Sequence, residues 1–256
     1  MLTEESGERG SAAGRLNRDP RRFAREGYCV FPRIFDDAGV AANRRLLDEA
    51  TEAGTLDRQG SLGEPHSRDD RWLDVCRYPP LLDAVQTVLG PNLILVYSSV
   101  FIKPPHGPER VSWHQDNTYW PSVHGTDVAT VWLAIDDADE ANSAMQVIPG
   151  SHSGYREFAT VASGRDDMLS RRVVVTEAME RSAVTLEMPA GALSIHDSFL
   201  LHGSGANRTS RRRAGYTIRF CSTDSAWVDV ETHPIPVYLV RGEAGARGAR
   251  YVDARR

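Results

Sequence analysis

The chain has 256 residues, a formal net charge of −5 at pH 7 and 41% hydrophobic residues, the composition of an ordinary globular protein. The negative net charge excludes nucleic-acid binding driven by a bulk basic excess. No apolar run approaches the roughly 20 residues that a membrane-spanning helix needs, so we expect neither a nucleic-acid nor a membrane partner. We expect no signal peptide at the start, and three cysteines without metal-like spacing predict free thiols in a reducing cytoplasm.

The basic residues are 29 arginines and a single lysine, Lys103. GC-rich coding favours arginine, and on a solvated surface the two residue types are nearly equivalent. The alternative interpretation is that position 103 requires an ammonium on a flexible stem rather than the planar guanidinium fork. The ratio alone leaves both interpretations open.

The N-terminal half contains the predicted helices. Residues 1–19 are rich in Gly, Ser, Glu and Arg, which predicts a disordered tail. Asp36 is a favourable N-cap for a helix over Asp37–Ala53, and residues 55–71 are polar and loop-like. A second helix is predicted over Pro79–Leu89, with proline at its start and Gly-Pro after its end.

The pattern then changes to strands rich in β-branched and aromatic residues. The predicted strands are Leu93–Lys103, Val128–Ile135, Arg172–Thr176, Ala183–Met188, Ala192–Ile195 and Ala214–Cys221. Helices followed by many short strands predict a mainly β fold with flanking helices, a double-stranded β-helix (jelly roll, cupin-like). We expect one domain over residues 20–240, a weakly patterned segment at 153–182 that could act as a lid, and a flexible tail at 241–256.

Metal chemistry is indicated by an H-x-D pair, His114 and Asp116. On a strand, both side chains point to the same side and can reach one metal ion, although for the pair alone a hydrogen-bonded His and Asp on a sheet face is the better interpretation. His202 follows 88 residues later beside an apolar strand, and Arg213 comes 11 residues after it. Two histidines and one carboxylate leave three coordination positions open, as Fe(II) oxygenases require. Arg213 would supply a bidentate fork for a carboxylate.

Several segments, in this order, resemble the phytanoyl-CoA dioxygenase family of Fe(II)/2-oxoglutarate-dependent oxygenases. The segments are Phe23–Phe35, Phe101–Pro105, Trp113–Asp116, Val131–Asp137, Asn142–His152, Gly191–Leu193, and His202–Asn207 followed by Arg213. Together they span roughly residues 23–222. One departure lies in Asn142-Ser143-Ala144-Met145, where Ser143 replaces the turn glycine of the commoner Asn-Gly-x-Leu.

The resemblance implies that His114, Asp116 and His202 bind Fe(II) and form the catalytic centre. It also implies that Arg213 pairs with the C5 carboxylate of 2-oxoglutarate, although the adjoining arginines at 211 and 212 leave its register open. The further predicted co-substrate residues are Lys103, Ser204, Ser99, Trp132 and Thr130. The predicted substrate contacts, aromatic or apolar side chains expected on the inward strand face or near the pocket mouth, are Tyr97, Phe101, Tyr119, Trp120, Phe158, Met168 and Trp227.

The resulting prediction is a dioxygenase that consumes 2-oxoglutarate and O2, releases succinate and CO2, and hydroxylates an unactivated C–H bond of a small molecule. Bacterial secondary-metabolite or antibiotic biosynthesis is the expected setting. The intact Asp116 favours hydroxylation over halogenation. Desaturation, epimerisation, ring formation and a catabolic substrate stay open, as does a cupin-like metal or ligand binder without turnover. Arg213 and Lys103 argue against that last alternative, because a metal-only binder needs no carboxylate clamp.

Overall fold

The computed structural model describes residues 16–255, and so the first 15 residues of the predicted disordered tail lie outside the described residues. The α-helices of this part of the chain are α1 (Phe23–Glu26), α2 (Asp37–Glu52), α3 (Asp70–Cys76), α4 (Pro79–Leu89) and α5 (Glu177–Arg181). Short 3-10 helices cover Pro20–Arg22, Pro65–Ser67, Asp116–Tyr119 and Ser153–Tyr155. None of the helices between residues 16 and 255 has the length and hydropathy of a membrane span.

Most of the remaining regular structure is β-strand, as the sequence predicts. The strands are β1 (Tyr28–Phe31), β2 (Ser61–Gly63), β3 (Leu93–Lys103), β4 (Val111–His114), β5 (Val123–His124), β6 (Val128–Ala134), β7 (Gln146–Val147), β8 (Thr160–Ala162), β9 (Arg171–Val173), β10 (Val184–Thr185), β11 (Leu193–Asp197), β12 (His202–Ser204), β13 (Arg213–Ser222), β14 (Trp227–Val228), β15 (Tyr238–Arg241) and β16 (Val252–Asp253).

Two of the sheets form the body of the molecule. The large sheet runs β1-β11-β6-β13-β3-β15-β16, with β2 also paired to β3, and the small sheet runs β10-β7-β12-β4. Within the large sheet β13 lies between β6 and β3, antiparallel to both. Strands β5 with β14 and β8 with β9 form two separate ribbons. The predicted mainly β, jelly-roll class is confirmed.

The two faces of the large sheet are chemically different because side chains alternate along each strand. On β13, Ala214, Tyr216, Ile218 and Phe220 join the main apolar core, which also contains buried residues of α2, α3 and α4. The intervening residues of β13, from Arg213 to Arg219, face the opposite side. The helices therefore cover one face of the large sheet and leave the other for a site.

Helix α2 begins where its cap predicts, since the Asp36 carboxylate accepts from the Gly39 N–H at 2.8 Å. Strand β9 ends earlier than the predicted 172–176 strand because Thr176 instead caps α5, accepting from the Met179 N–H. Helix α3 was not predicted, and it starts within the stretch expected to be a polar loop.

The structured region extends beyond the predicted boundaries at both ends. Asn17 is fully buried, donates to the Tyr28 carbonyl at 2.5 Å and accepts from the Val30 N–H, so residues 16–19 pack against β1. Near the other end, β16 pairs in parallel with β15 and Ala254 is buried. The segment 241–255, expected to be flexible, is thus held on the edge of the large sheet.

Candidate metal centre and its pocket

Two histidines face each other across adjacent strands of the small sheet. His114 ends β4 and His202 begins β12, and the two residues are direct partners in the antiparallel register, with ring centroids 4.0 Å apart. Each Nδ1 lies 2.9 Å from a backbone carbonyl two residues earlier, that of Ser112 or Leu200. Because a carbonyl only accepts, each Nδ1 carries the proton, and each Nε2 keeps a free lone pair.

Asp116 supplies the carboxylate at the start of the 3-10 helix that follows β4. Its Oδ1 lies 3.5 Å from His114 Nε2 and 3.7 Å from His202 Nε2. All three side chains are buried, and their candidate ligand atoms lie within 4.8 Å of one another. Within residues 16–255 no other group of three or more His, Cys, Asp or Glu side chains meets this spacing.

The second carboxylate oxygen is held by the large sheet. Thr130 of β6 donates its hydroxyl to Asp116 Oδ2 at 2.6 Å, which leaves Oδ1 facing the two imidazoles. Burial alone would raise the pKa of Asp116, but the electrostatic influence of the surrounding imidazoles of His202, His114 and His196 holds that pKa well below its usual value. Burial also lowers the pKa of His202 well below its ordinary range. An anionic carboxylate and two neutral imidazoles are the protonation states that a metal ligand set needs.

This donor set fits a divalent first-row transition metal. Two imidazole nitrogens and one carboxylate oxygen converge from one side. The backbone carbonyls of Ser112 and Leu200 fix the tautomers of the two histidines, and the Thr130 hydroxyl orients the carboxylate. The site lies in a cavity of about 190 Å³ between the two sheets. Its lining residues are Phe101, Val111, His114, Asp116, Tyr119, Trp120, Thr130, Trp132, Met145, Leu169, His196, His202, Gly203, Ser204, Arg213, Thr217 and Arg219.

Arg213 is the innermost cation of this cavity and is 2% exposed. Its Nε and Nη2 both donate to the Ser143 carbonyl, at 3.0 and 2.6 Å, and Nη2 also lies 3.1 Å from Ser204 Oγ. Burial lowers the pKa of Arg213 to about 10. Of the three adjoining arginines Arg213 lines the cavity, whereas Arg211 pairs with Asp139 and Arg212 pairs with Asp136 and Asp48.

Lys103 lies directly beside Arg213, its partner in the β3–β13 register. The ammonium donates to Ser204 Oγ at 2.6 Å, to Ser143 Oγ at 2.9 Å and to the Gly205 carbonyl. No carboxylate of the described residues lies within 4.0 Å of Lys103 or Arg213. Burial, together with the Arg213 charge, lowers the pKa of Lys103 to about 6. Two buried basic side chains without a carboxylate partner form a receptor for an anion, whose binding would hold Lys103 in its charged form.

Ser143 stands where the commoner family motif has a turn glycine, and its contacts account for this difference. Its φ is +73°, the left-handed conformation that glycine adopts without steric cost. The serine side chain provides what glycine cannot, because its hydroxyl accepts from Lys103 and donates to the Gly205 carbonyl at 2.5 Å. The substitution thus adds a polar contact to the cation cluster.

Some predicted residues do not line the cavity. Lys103 lies outside the cavity and donates to Ser204 Oγ, which lines it. Tyr97 packs against Trp120 and His233. Ser99 lies on the same face of β3, but its partner on β13, Thr217, is the residue that lines the cavity. The Thr217 hydroxyl donates to the Ser99 carbonyl at 2.7 Å.

Three predicted substrate contacts from loops lie elsewhere. Phe158 packs into a small apolar cluster beneath Arg156. Met168 uses its backbone to bond Arg110, so its neighbour Leu169 lines the cavity instead. Trp227 stacks on His124, 4.2 Å between ring centroids, on the β5–β14 ribbon. Loop side chains have no alternation rule, which is why sequence reasoning misplaced these three.

Sequence reasoning also missed polar cavity residues. His196 lines the cavity with its Nε2 3.4 Å from Asp116 Oδ2, and neither ring nitrogen makes a hydrogen bond. Thr217 and Arg219 share the inward face of β13 with Arg213, at spacings of four and six residues. Alternation from Arg213 was the available signal, and it identifies both positions.

A jelly roll that presents two histidines and an aspartate between its sheets belongs to the cupin-like metalloproteins in architecture. More narrowly, the chain belongs to the phytanoyl-CoA dioxygenase (PhyH) family, which its residues 23–215 match. The resemblance inferred from the motifs is thereby confirmed.

The chain is similar to named relatives in sequence and in structure. It is 32% identical to a probable alpha-ketoglutarate-dependent hypophosphite dioxygenase of Stutzerimonas stutzeri, over 74% of this chain and 66% of the relative, slightly under two thirds of its length. It is 27% identical to L-proline trans-4-hydroxylase of Streptomyces griseoviridis, over 86% of this chain and 90% of the relative. The apo structure of the non-heme monooxygenase ThoJ superposes with a TM-score of 0.73 at 26% identity, over 93% of this chain and 87% of ThoJ.

Proposed function

We propose that this protein is a non-haem Fe(II)/2-oxoglutarate-dependent dioxygenase that hydroxylates an unactivated C–H bond of a small molecule. The observation that carries the proposal is the pairing of two features in one region. A facial His114, Asp116 and His202 cluster opens into the cavity, and the Arg213–Lys103 cation pair lies at its inner end without a carboxylate partner. A metal ion needs the histidine–aspartate cluster as its ligands. A dicarboxylate co-substrate needs both that cluster and the Arg213–Lys103 pair.

The relatives support this chemistry. One carries alpha-ketoglutarate dependence in its name and another is named a hydroxylase of an amino acid. Both act on small molecules by name, which supports a small-molecule substrate here. We include in the proposal a setting in bacterial secondary metabolism, which rests on the GC-rich coding that 29 arginines suggest. A cytoplasmic location is also part of it, supported by three free, buried cysteines.

Each residue has a defined task in this proposal. His114, Asp116 and His202 would hold Fe(II), with Thr130 fixing the carboxylate. Arg213, Lys103 and Ser204 would bind the distal carboxylate of 2-oxoglutarate, replacing the Ser143 carbonyl as the acceptor of the Arg213 fork. When bound, Fe(II), 2-oxoglutarate and O2 supply the oxidising chemistry that yields succinate, CO2 and oxidised substrate. Trp132, Phe101 and Met145 exclude water as apolar walls.

A metal or ligand binder without turnover is the less favoured alternative. Burying Lys103 and Arg213 side by side is costly unless an anion binds to them. A protein that bound only a metal ion would have no use for these two side chains. The intact Asp116 favours hydroxylation over halogenation, because the carboxylate takes the position that a halide would occupy. Desaturation, epimerisation and cyclisation use the same residues, so the product decides among them.

The test is succinate formation by the Fe(II)-loaded protein in the presence of O2, screened against metabolites of neighbouring genes. We expect 2-oxoglutarate-dependent succinate release that the true substrate stimulates. Asp116→Ala should abolish the stimulated release, whereas Asp83→Ala, which removes an exposed carboxylate paired with Arg241, should leave it intact. Unchanged succinate release by Asp116→Ala would contradict the ligand assignment.

A further inference from the structure

Arg219 is a second buried arginine that faces the cavity. It lies on β13 six residues after Arg213, is 7% exposed and lines the same cavity. Unlike Arg213, its guanidinium makes no hydrogen bond or ion pair with any residue between 16 and 255, and its Nε is buried without a partner. A guanidinium carries five N–H donors, so this side chain has unused binding capacity.

The surroundings of Arg219 offer its guanidinium no hydrogen-bonding partner, although Asp116 and Glu64 attract its charge from a distance. The ring of Trp120 lies beneath it, 5.7 Å from Cζ to the centroid, and offers a cation–π contact but no hydrogen-bond acceptor. Two carboxylates in the neighbourhood are engaged elsewhere, since Asp116 is held by Thr130 and Glu64 accepts from the Ser98 N–H at 3.0 Å. A buried, unpaired charge is expensive and is retained where a ligand completes it.

Arg219 and Arg213 have different surroundings in the cavity. Arg213 is directed toward Ser143 and Ser204, next to Lys103. Arg219 belongs to a different row of the large sheet, in which His196, Thr130, Arg219 and Tyr97 are neighbours on four adjacent strands. Because Arg219 is six positions along the strand from Arg213, the Cα atoms of the two arginines are about 20 Å apart. Arg213 accounts for the distal carboxylate of the co-substrate and the metal would hold its other carboxylate, so the proposed function leaves Arg219 to the other ligand.

We infer that the substrate is a small molecule with an anionic oxygen group, a carboxylate or a phosphorus oxyanion, which Arg219 binds through its guanidinium. This inference rests on the proposed function and adds to it the class of the substrate. The rest of the molecule would lie against Tyr119, Trp120 and Leu169, apolar walls of the cavity next to the metal cluster. The unpartnered ring nitrogens of His196, in the same row, provide one further donor or acceptor.

The experiment measures binding to the protein loaded with Fe(II) and 2-oxoglutarate in the absence of O2, by calorimetry. The ligands are matched pairs that differ in charge: pentanoate with pentanamide, benzoate with benzamide, and butylphosphonate with its dimethyl ester. We expect at least one anion to bind tenfold or more tightly than its neutral partner. The carboxylate and phosphonate arms separate the two sources of the anionic group.

Arg219→Gln should weaken binding of the preferred anion by about 10- to 100-fold and leave the neutral partner unchanged, since charge-assisted hydrogen bonds are lost. Arg219→Lys keeps the charge and should retain part of the preference. Arg247→Gln is the matched control, because Arg247 also lies over a tryptophan, 4.0 Å from the Trp227 ring, but at the surface. It should bind every ligand as the wild type does.

The inference is overturned if no anion of any pair is preferred by the wild type, or if Arg219→Gln keeps the full preference. A purely structural role would lower the melting temperature of Arg219→Gln with the anion-to-neutral ratio unchanged. The wild-type comparison stands even if a variant fails to fold. A wild type that forms no complex with Fe(II) and 2-oxoglutarate contradicts the proposed function, whereas a loaded wild type without anion preference contradicts this inference alone.

Discussion

Thr130 shows how a residue outside the ligand set controls the site. Its hydroxyl holds Asp116 Oδ2 at 2.6 Å, which directs Oδ1 toward both imidazoles. Thr130→Val keeps the shape and removes the donor, so we expect metal affinity to fall by about tenfold, the lower end of the range for outer-shell partners. Anaerobic calorimetry with Fe(II) measures this. Thr55→Val, which removes an exposed hydroxyl bonded to the Ala50 carbonyl, is the control, and equal affinities in both variants would refute the role.

On the proposed function, we expect Lys103 to make 2-oxoglutarate binding dependent on pH. Burial and the Arg213 charge lower its pKa to about 6, so the ammonium is mostly deprotonated in the free protein at neutral pH. A bound carboxylate favours the charged form, raises that pKa and makes binding take up a proton. Affinity for 2-oxoglutarate should therefore fall as pH rises above about 6, by at most tenfold per unit.

The measurement is calorimetry of 2-oxoglutarate binding between pH 6 and 8, in buffers that differ in ionisation enthalpy. Lys103→Met should bind more weakly and lose the proton uptake. Lys103→Arg should also lose it, because guanidinium stays charged throughout this range. Proton uptake of equal size in the wild type and in Lys103→Met would assign the titration to another group.

At this scale the sequence predicted which three side chains of the candidate metal site lie together, but not the residues that support them. His114, Asp116 and His202 could be predicted because spacing and motif order point to them. Lys103 stood out as a single lysine among 29 arginines. Alternation along the strand of Arg213 is enough to place Arg219, but His196 could not be placed beside it, because the two meet only through a row that crosses four strands.

Strand β13 joins the site to the core at the scale of elements. Its outward residues pack with the helices and its inward residues reach from Arg213 to Arg219. Gly215 lies between them, where a Cβ would clash with the Trp132 ring. This missing side chain allows Trp132 to lie 5.4 Å from the Arg213 guanidinium. Strand alternation is visible in the sequence, but the close approach of a neighbouring ring is not.

Gly215→Ala should consequently destabilise the fold by about 1–3 kcal/mol through overpacking, and displace Trp132 from Arg213. Urea unfolding gives the stability, and 2-oxoglutarate affinity reports the displacement. Gly63→Ala on β2 is the matched strand control, since a Cβ there meets nothing within 4 Å. Stability equal to that of Gly63→Ala would show that the ring moves aside freely.

Segment 153–182 was expected to be a candidate lid, and its role stays a prediction. It contains the β8–β9 ribbon and α5. Backbone hydrogen bonds join its residues 166 and 168 to Arg110, the residue before β4. The side chain of Leu169 reaches the cavity from this segment. Its weak sequence pattern reflects short elements that are stabilised by contacts with the rest of the molecule rather than by a core of their own.

At the scale of the whole molecule, the predicted jelly roll is right and its limits are wider than predicted. Composition could not reveal that Asn17 is buried against β1 or that β16 pairs with β15, because both depend on partners distant in sequence. The two-sheet architecture places the metal ligands on or next to the small sheet and both cavity arginines on the large one. Metal and co-substrate therefore meet only in the folded molecule.

The central claim is that the histidine–aspartate cluster and Arg213 together hold Fe(II) and 2-oxoglutarate. The most direct measurement is the visible absorption of the protein with Fe(II) and 2-oxoglutarate under anaerobic conditions. A weak charge-transfer band should form in the wild type, be lost in His202→Ala and require much more 2-oxoglutarate in Arg213→Ala. Arg211→Ala, which removes a neighbouring arginine paired outside the cavity, should match the wild type. Absence of the band in the wild type, or an unchanged band in Arg213→Ala, would contradict the claim.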